Sequence, residues 1–232
     1  MKIIIGTVQW GIKYGISNDS GIPADIEIKK ILNYANKNKI SFLDTAAVYG
    51  NSEKRIGKLS SGNFNIITKI KPLSDKGSIK MELNKSINNL NSNSIYACLF
   101  HDIEDILSDP SKWNQLKFEK ERGKISKIGY SLYYPNQLDK LLQKGFIPDI
   151  VQLPYSVLDR KFEPYFRILR DLGSEIHVRS IFLQGILCLE ENLIIKKFKS
   201  LRKPIEIIQK EFGNKKKFVK ELTLKWIVSN KI

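Results

Sequence analysis

Seven short runs of apolar residues, most of them β-branched, divide the chain at near-regular intervals. They occupy residues 2–7, 41–44, 65–69, 95–100, 125–131, 150–154 and 175–181. After a longer first unit, the runs recur about every 20 to 30 residues. Because they are nearly continuous rather than alternating, they are typical of parallel strands covered on both faces.

The segments between these runs carry apolar residues at the three- and four-residue spacing of helices. Three such faces are Ile28, Ile31, Leu32 and Ala35; Met81, Leu83, Ile87 and Leu90; and Leu138, Leu141 and Leu142. Helix starts are predicted near Asp25 and Ser111, each of which closely follows a proline. The sequence therefore predicts strands and helices in alternation.

This alternation predicts a parallel α/β fold, either a closed barrel or an open, doubly wound sheet. No Gly-x-Gly-x-x-Gly loop follows the first strand and no Walker-type loop occurs, so the nucleotide-binding open sheet loses its main support. We therefore predict a (β/α)8 TIM-type barrel with seven parallel strands and the eighth βα unit missing. The length of 232 residues falls just under the usual size of such barrels. No linker or composition break occurs before about residue 190, so residues 1–232 are expected to form one domain.

Composition and cysteine usage narrow the class of protein. With 42% hydrophobic and 27% charged residues, the chain has the composition of a soluble globular protein. Cys98 and Cys188 lie far apart, and neither has a second Cys or His at ligand spacing, which argues against a zinc site and a secreted disulfide framework. No apolar run approaches the roughly 20 residues of a membrane span, and the apolar N-terminus is too short for a signal peptide. We expect a cytoplasmic protein without a metal or a membrane partner.

The net charge of +15 raises nucleic acid as a partner. Residues 196–232 hold twelve basic and three acidic residues, and therefore nine of the fifteen net charges. They fall on helical segments, and the sequence has no zinc finger, RNA-binding sheet signature or Arg-rich tail. A solvated, lysine-rich face is the favoured interpretation; a phosphate-bearing ligand or nucleic acid is the alternative.

Ionisable side chains end three successive predicted strands. In a βα barrel the active site forms at the C-terminal ends of the strands. The second strand ends in Asp44 and leads to Tyr49, the third ends in Lys69, and the fourth leads to His101. Singly, each has an ordinary structural explanation as a helix cap, a surface lysine or a turn residue. Together at one rim they indicate a catalytic site.

The chemistry of this group points to carbonyl reduction. A lysine ammonium beside a tyrosine favours phenolate and is expected to lower the tyrosine pKa. Asp44 would keep Lys69 charged and oriented, while His101 would donate a hydrogen bond to the substrate oxygen. Such an assembly polarises a carbonyl and protonates it as hydride reaches the carbon. Because no side chain supplies hydride, a nicotinamide cofactor is implied.

Seven segments resemble the aldo-keto reductases, in the order of that family. They are GTVQWG at 6–11, LDTAAVYGNSE at 43–53, ITK at 67–69, LFH at 99–101, IGYS at 128–131, VQLPYS at 151–156 and RSIFLQG at 179–185. The resemblance extends from residue 3 to about residue 230. It implies that the catalytic positions are Asp44, Tyr49, Lys69 and His101, with Tyr49 as the general acid.

The resemblance also implies a cofactor site for NADPH, with NADH as an alternative. Its residues would be Gly6, Thr7 and Asp44 near the nicotinamide riboside, Ser131 and Gln152 at the carboxamide, and Arg179, Ser180, Phe182, Gln184 and Gly185 along the ring and the pyrophosphate. Two positions depart from the family pattern: Leu132 follows Ser131 where an Asn is common, and Arg179 stands where many members have an aromatic residue.

The expected activity is NADPH-dependent reduction of an aldehyde or ketone, or the reverse alcohol oxidation. The substrate would be a small carbonyl compound, and the resemblance leans toward sugar-derived ones. The family's last βα unit, which usually grips the adenosine end of the cofactor, is missing from the predicted elements, and the basic stretch 196–220 is a candidate substitute. The alternatives are a non-catalytic remnant that serves as a binding or regulatory module and a nucleic-acid binder. An unclosed barrel would also allow a homo-oligomer completed by a neighbour's strand.

Overall fold

Seven parallel strands form one sheet, in the order in which they occur along the chain. The computed structural model describes residues 2–73, 77–189, 193, 194, 196, 198–212 and 216–230. The strands are β1 (Ile5–Gly6), β2 (Phe42–Asp44), β3 (Asn65–Ile70), β4 (Ile95–Phe100), β5 (Ile125–Ser131), β6 (Ile150–Pro154) and β7 (Glu175–Arg179). Each pairs in parallel with the next. The predicted seven-stranded parallel arrangement is confirmed.

Four of the predicted strands have different bounds in the structure. β2 begins one residue later and β3 ends one residue later than predicted, whereas β1 and β7 are shorter by two or more residues, β1 beginning only at Ile5. β1 stops at Gly6 because the chain turns into a short 3₁₀ helix at Val8–Trp10. β7 stops at Arg179 because Ser180 has a φ of +59°, which no strand residue adopts. The apolar pattern continues past both points, so it could not reveal either end.

Helices connect the strands as the apolar spacing predicts. They are α1 (Asp25–Lys37), α2 (Ser52–Leu59), α3 (Ile79–Asn89), α4 (Glu104–Ser108), α5 (Ser111–Glu121), α6 (Pro135–Gln143), α7 (Phe166–Asp171), α8 (Arg202–Phe212) and α9 (Lys216–Ser229). The predicted starts at Asp25 and Ser111 are correct. Of the predicted core faces, Ile31 and Met81 are wrong, because they are 39% and 57% exposed. Met81 lies about 200° around the helix from Leu83, and therefore on the opposite side.

The sheet has an apolar layer on each face. The larger layer packs the sheet against the helices and includes Trp113, Tyr130 and Phe162. The smaller layer lies on the inner face and consists of Phe42, Ile67, Ala97, Leu99 and Ile150, with Ile4 and Tyr96 packed against it. Burial on both faces explains the continuous apolar runs.

Contacts between strands that are not neighbours show that the sheet curls. Gln152 on β6 donates to Asp44 on β2 at 2.8 Å, and Tyr96 on β4 donates to Glu175 on β7 at 2.8 Å. The backbone N–H of Ile16 donates to the carbonyl of Gln184 at 2.8 Å, which joins the loops after β1 and β7. Within the described residues β1 and β7 do not pair, so the seven strands form an open, barrel-like sheet of the (β/α)8 type.

The C-terminal helices carry the basic residues identified in the sequence. Lys203, Lys210, Lys220 and Lys225 are exposed, which agrees with a solvated lysine-rich face. The inner side of α9 packs on the barrel, where the rings of Trp226 and Tyr155 have centroids 5.1 Å apart. Of the stretch 196–220 proposed to bind phosphate, residues 197 and 213–215 lie outside the described residues. None of the described helices has the length and apolar character needed to cross a membrane.

Candidate active site

The period of a β-strand places the predicted catalytic residues on the inner face of the sheet. Residues two apart on a strand point to the same face. Four members of the inner apolar layer lie two positions before a polar residue: Phe42 before Asp44, Ile67 before Lys69, Leu99 before His101 and Ile150 before Gln152. The barrel interior therefore has an apolar floor with a polar layer directly above it, at the C-terminal ends of the strands.

Asp44 and Lys69 form the centre of this polar layer. The Lys69 ammonium donates to both carboxylate oxygens of Asp44, at 2.8 and 2.9 Å, and to the carbonyl of Thr45 at 2.9 Å. Gln152 donates a third hydrogen bond to the Asp44 carboxylate, at 2.8 Å. Lys69 is only 1% exposed, so its three hydrogen bonds are what allows a charged amine to be buried.

Tyr49 lies in the loop between β2 and α2, above this pair. Its ring centroid is 5.2 Å from the Lys69 nitrogen and 6.1 Å from the His101 ring, which meets it edge-on at 88°. Its backbone is fixed at both ends, because its N–H donates to Ala46 and its carbonyl accepts from Ser52, each at 3.0 Å. The structure thus brings together the four predicted catalytic side chains.

The expectation that Lys69 lowers the pKa of Tyr49 is wrong for this arrangement. Burial, together with the negative charge of Asp44, raises the pKa of Tyr49, and the positive charge of Arg179 offsets this only in part. The Lys69 ammonium is paired with both Asp44 oxygens, and it does not offset the effect of burial and of the Asp44 charge on the phenol. Tyr49 therefore holds its proton throughout the neutral range.

His101 is neutral at physiological pH. Burial lowers the pKa of His101 to about 4, and the positive charges of Lys69 and Arg179 contribute. Its Nδ1 atom is buried and has no hydrogen-bond partner among the described residues. A neutral imidazole has one N–H to donate, which suits a group that positions a substrate oxygen.

We predict that His101 makes the fold less stable as the pH falls. In the unfolded chain its pKa is near 6.5, so between about pH 6.5 and 4 the unfolded chain binds a proton that the folded chain excludes, and stability declines over this window. The urea midpoint of the wild type should therefore drop more between pH 7 and pH 5 than that of His101→Gln. An equal drop in both proteins would contradict the lowered pKa. The carboxylates, which also titrate, are common to both.

Three of the predicted cofactor residues lie within or next to the polar layer. Thr7 is fully buried and donates through its hydroxyl to the Asp44 carbonyl at 2.9 Å. Ser131 and Gln152 are register partners on β5 and β6, and both are buried. The Gln152 Oε1 atom is buried without a hydrogen-bond donor among the described residues. An unpaired buried acceptor beside a serine hydroxyl fits the amide N–H₂ group of a nicotinamide.

The remaining predicted cofactor residues lie around the rim. A Cβ on Gly6 would meet nothing within 4 Å, so this backbone is open to a ligand. After β7, Ser180, Leu183 and Gln184 all have left-handed φ values, between 50° and 59°. Each costs about 1–2 kcal/mol in a non-glycine residue, and such strain clusters at functional sites. Phe182 and Gly185 belong to the same turn, which contacts the loop after β1.

Three residues near the site were not assigned from the sequence. Gly11 packs under Tyr49, where an added Cβ would lie 1.7 Å from the Tyr49 carbonyl oxygen. The Tyr133 ring lies against the Arg179 guanidinium, at 4.3 Å. His177 is the register partner of Gln152. Counting two residues back from Arg179 would have identified His177 as inward-facing. Gly11 ends the GTVQWG motif, but the motif gave it no role, and no local signal pointed to Tyr133.

Gly11→Ala is expected to displace Tyr49. Its methyl group would meet backbone atoms, the Tyr49 carbonyl oxygen and the Ser52 nitrogen at 2.6 Å, and these cannot rotate away. We expect a loss of about 2 kcal/mol in unfolding free energy, measured by urea denaturation. Gly6→Ala is the matched control for stability, because its Cβ has open space. Equal stability of Gly11→Ala and the wild type would show that the loop can move at little cost.

The fold and the site define a βα-barrel protein that gathers an aspartate, a lysine, a tyrosine and a histidine at the C-terminal ends of its strands. The sequence model of the Aldo/keto reductase family matches residues 2–231. The chain therefore belongs to the aldo/keto reductase family, as its motifs indicated, and is an oxidoreductase of carbonyl compounds in that general sense. Members of the family generally use NAD(P)H.

Solved structures with the same fold come from several bacteria. A Pseudomonas aeruginosa protein assigned to the aldo-keto reductases matches with a TM-score of 0.66 and 23% identity, over 84% of this chain and 80% of that one. An aldo-keto reductase from Bacillus halodurans, in its holo form, gives 0.65 and 22%, over 80% and 64%. A glycerol dehydrogenase from Gluconobacter oxydans gives 0.68 and 18%, over 97% and 78%. At these identities the likeness concerns the fold.

Neither the curated proteins nor the metal-ligating side chains add to this assignment. No curated protein matches the sequence. Among the described residues, no group of three or more His, Cys, Asp or Glu side chains has the arrangement of a metal site. The assignment to the family therefore depends on the family's sequence model, with the structural neighbours supporting the fold.

Proposed function

We propose that the chain reduces an aldehyde or ketone with NADPH, and that Tyr49 gives the carbonyl oxygen its proton. The observation that carries the proposal is the convergence of Tyr49, Lys69, Asp44 and His101 above the apolar floor of the barrel. Lys69 and Asp44 form a buried ion pair, with Tyr49 and His101 beside it. The coarser statement, an oxidoreductase of carbonyl compounds, follows from the family.

The four side chains divide the work of polarising and protonating the carbonyl. A bound nicotinamide cofactor supplies the hydride. Tyr49, whose raised pKa keeps it protonated, holds the proton that the oxygen receives, and neutral His101 donates a hydrogen bond that positions the same oxygen. Asp44 fixes Lys69, and the Lys69 ammonium favours the phenolate that forms as the proton leaves. Because its pKa is raised, the Tyr49 hydroxyl stays protonated at neutral pH and is a weak acid until the substrate oxygen accepts its proton.

The cofactor would be held by residues around the polar layer. Ser131 and the unpaired Gln152 oxygen suit the carboxamide. Gly6 and Thr7, at the end of β1, suit the riboside, and the turn from Arg179 to Gly185 suits the ring and the pyrophosphate. We further propose that residues 1–232 act as one domain in the cytoplasm, which the free, buried thiol of Cys98 supports.

Titration of the purified chain with NADPH tests the proposal, with cofactor fluorescence as the readout and NADH in a parallel series. We expect saturable binding, tighter for NADPH, followed by oxidation of the cofactor when an aldehyde is added. Gln152→Leu should weaken cofactor binding, because it removes the unpaired amide oxygen proposed to accept from the carboxamide. It also removes the amide N–H₂ group that donates to Asp44. Absence of saturable binding at about millimolar cofactor would contradict the proposal.

A non-catalytic module is the second candidate. The observation that favours it is the open sheet, because β1 and β7 do not pair within the described residues. An incomplete rim would weaken cofactor binding while leaving the pocket formed. Cofactor binding without turnover of any aldehyde or ketone would favour this alternative over the enzyme.

A further inference from the structure

Arg179 is held rigidly at the rim of the candidate site. One guanidinium nitrogen donates to the carbonyl of Leu132 at 2.8 Å, and another donates to the Ser180 hydroxyl at 3.3 Å. The guanidinium carbon lies 4.3 Å from the centroid of the Tyr133 ring. These contacts from two neighbouring loops fix the plane of the group and leave an edge of it free to bind a ligand.

The strand register places Arg179 at the level where a substrate would lie. Arg179 is two residues beyond His177 on β7, and His177 is the register partner of Gln152. Its side chain therefore faces the barrel interior, about 7 Å above the layer that holds Asp44 and Lys69. Its charge reaches the reacting groups, because after burial and Lys69 it is a further cause of the low pKa of His101.

The charge of Arg179 has no acidic partner in the described part of the chain. No ion pair there involves Arg179. Asp44 is matched by Lys69, and Asp102 faces solvent and accepts from the Glu104 N–H at 3.0 Å. Of the five N–H groups of an arginine, two are used by Leu132 and Ser180, so three remain. The rim therefore carries an unmatched positive charge with free donors.

We infer that Arg179 binds an acidic group of the substrate, a carboxylate or a phosphate, and makes the site selective for anionic aldehydes and ketones. This inference rests on the proposed function and specifies its substrate class. A planar guanidinium offers paired N–H donors that match the two oxygens of a carboxylate. Stacked on Tyr133 and half-buried, it is screened less than a surface arginine, so its preference for an anion is larger.

Kinetics with matched pairs of aldehydes test the inference. Each pair consists of a carboxylate and its neutral amide: glyoxylate, succinic semialdehyde and 4-carboxybenzaldehyde cover different distances between the acid and the carbonyl. In the wild type we expect kcat/KM to favour the acid of at least one pair by about 10- to 100-fold. Arg179→Gln should bring that ratio close to one, while Arg179→Lys should keep part of it.

A control variant and a binding measurement separate Arg179 from general effects. Arg167→Gln removes a positive charge from the exposed face of α7, where the side chain is 86% exposed, and should leave the ratio unchanged. Because Arg179 also lies in the turn proposed to contact the cofactor, the acid-to-amide ratios are measured at saturating NADPH in the wild type and in each variant. A wild-type ratio near one, or a ratio that persists in Arg179→Gln under these conditions, would overturn the inference and leave Arg179 as a cofactor contact only.

Calorimetry with unreactive ligands distinguishes failure of the inference from failure of the proposed function. Butyrate and benzoate should bind the wild type more tightly than butyramide and benzamide do. Arg179→Gln should lose most of this difference in affinity, and Arg179→Lys should lose less of it. If no aldehyde is reduced, the proposed function fails, and the acid-binding role of Arg179 is decided by these titrations. If aldehydes are reduced but acids bind no better than amides, only the inference fails.

Discussion

Tyr49→Phe should reduce the rate of carbonyl reduction by about 10²- to 10⁴-fold, the usual contribution of a positioned general acid. The substitution removes the hydroxyl that carries the proton and keeps the ring that contacts His101 edge-on. The affinity for NADPH should therefore stay close to that of the wild type. Oxidation of NADPH by a reactive aldehyde, followed by absorbance under single-turnover conditions, measures the chemical step directly.

Tyr34→Phe is the matched control for this experiment. Tyr34 lies on α1 and is 68% exposed, so loss of its hydroxyl should leave the rate unchanged. An unchanged rate in Tyr49→Phe would assign the proton to another donor. His101 is then the next group to test. Because its pKa is lowered to about 4, it is almost entirely neutral at pH 7, and a neutral imidazole gives up its N–H proton only weakly.

The sequence predicts most of the fold because burial on both faces leaves a strong pattern. All seven apolar runs contain a strand, and three of them, at β4, β5 and β6, have the predicted bounds. The errors occur where backbone conformation departs from the apolar pattern, as at Ser180, whose positive φ ends β7. Helix faces are predicted less well, because a residue such as Met81 can have helical spacing and still lie on the exposed side.

The candidate site is predictable to the extent that its residues follow strand ends. Asp44, Lys69 and His101 are placed by the two-residue period, and Tyr49 by the motif around it. The direction of the Tyr49 pKa shift was not predictable, since it depends mainly on burial and on the negative charge of Asp44, which only the folded structure shows. The same holds for Gly11, whose importance comes from contact with a carbonyl 38 positions away in the chain.

Lys69→Met should destabilise the fold by about 3 kcal/mol, because it leaves the Asp44 carboxylate largely buried without its cation. Lys69 is 1% exposed and the Asp44 side chain 16% exposed, so water can replace little of what is lost. Gln152 alone would remain as a side-chain donor to Asp44 among the contacts described. Urea denaturation at pH 7 measures the loss. Lys30→Met is the control, because its ion pair with Glu27 is exposed and should contribute less than about 1 kcal/mol.

The double variant Asp44→Asn/Lys69→Met separates the charge from the packing. If the destabilisation of Lys69→Met comes from an unpaired carboxylate, removing that carboxylate should restore most of the unfolding free energy, so the two substitutions should be far from additive. Additive losses would mean instead that the methylene chain and the hydrogen bond to the Thr45 carbonyl account for the effect. Carbonyl reduction should stay low in the double variant even where stability returns, because no ammonium is left to favour the Tyr49 phenolate. Recovered stability without recovered turnover would therefore assign the buried ion pair to the chemistry of the site.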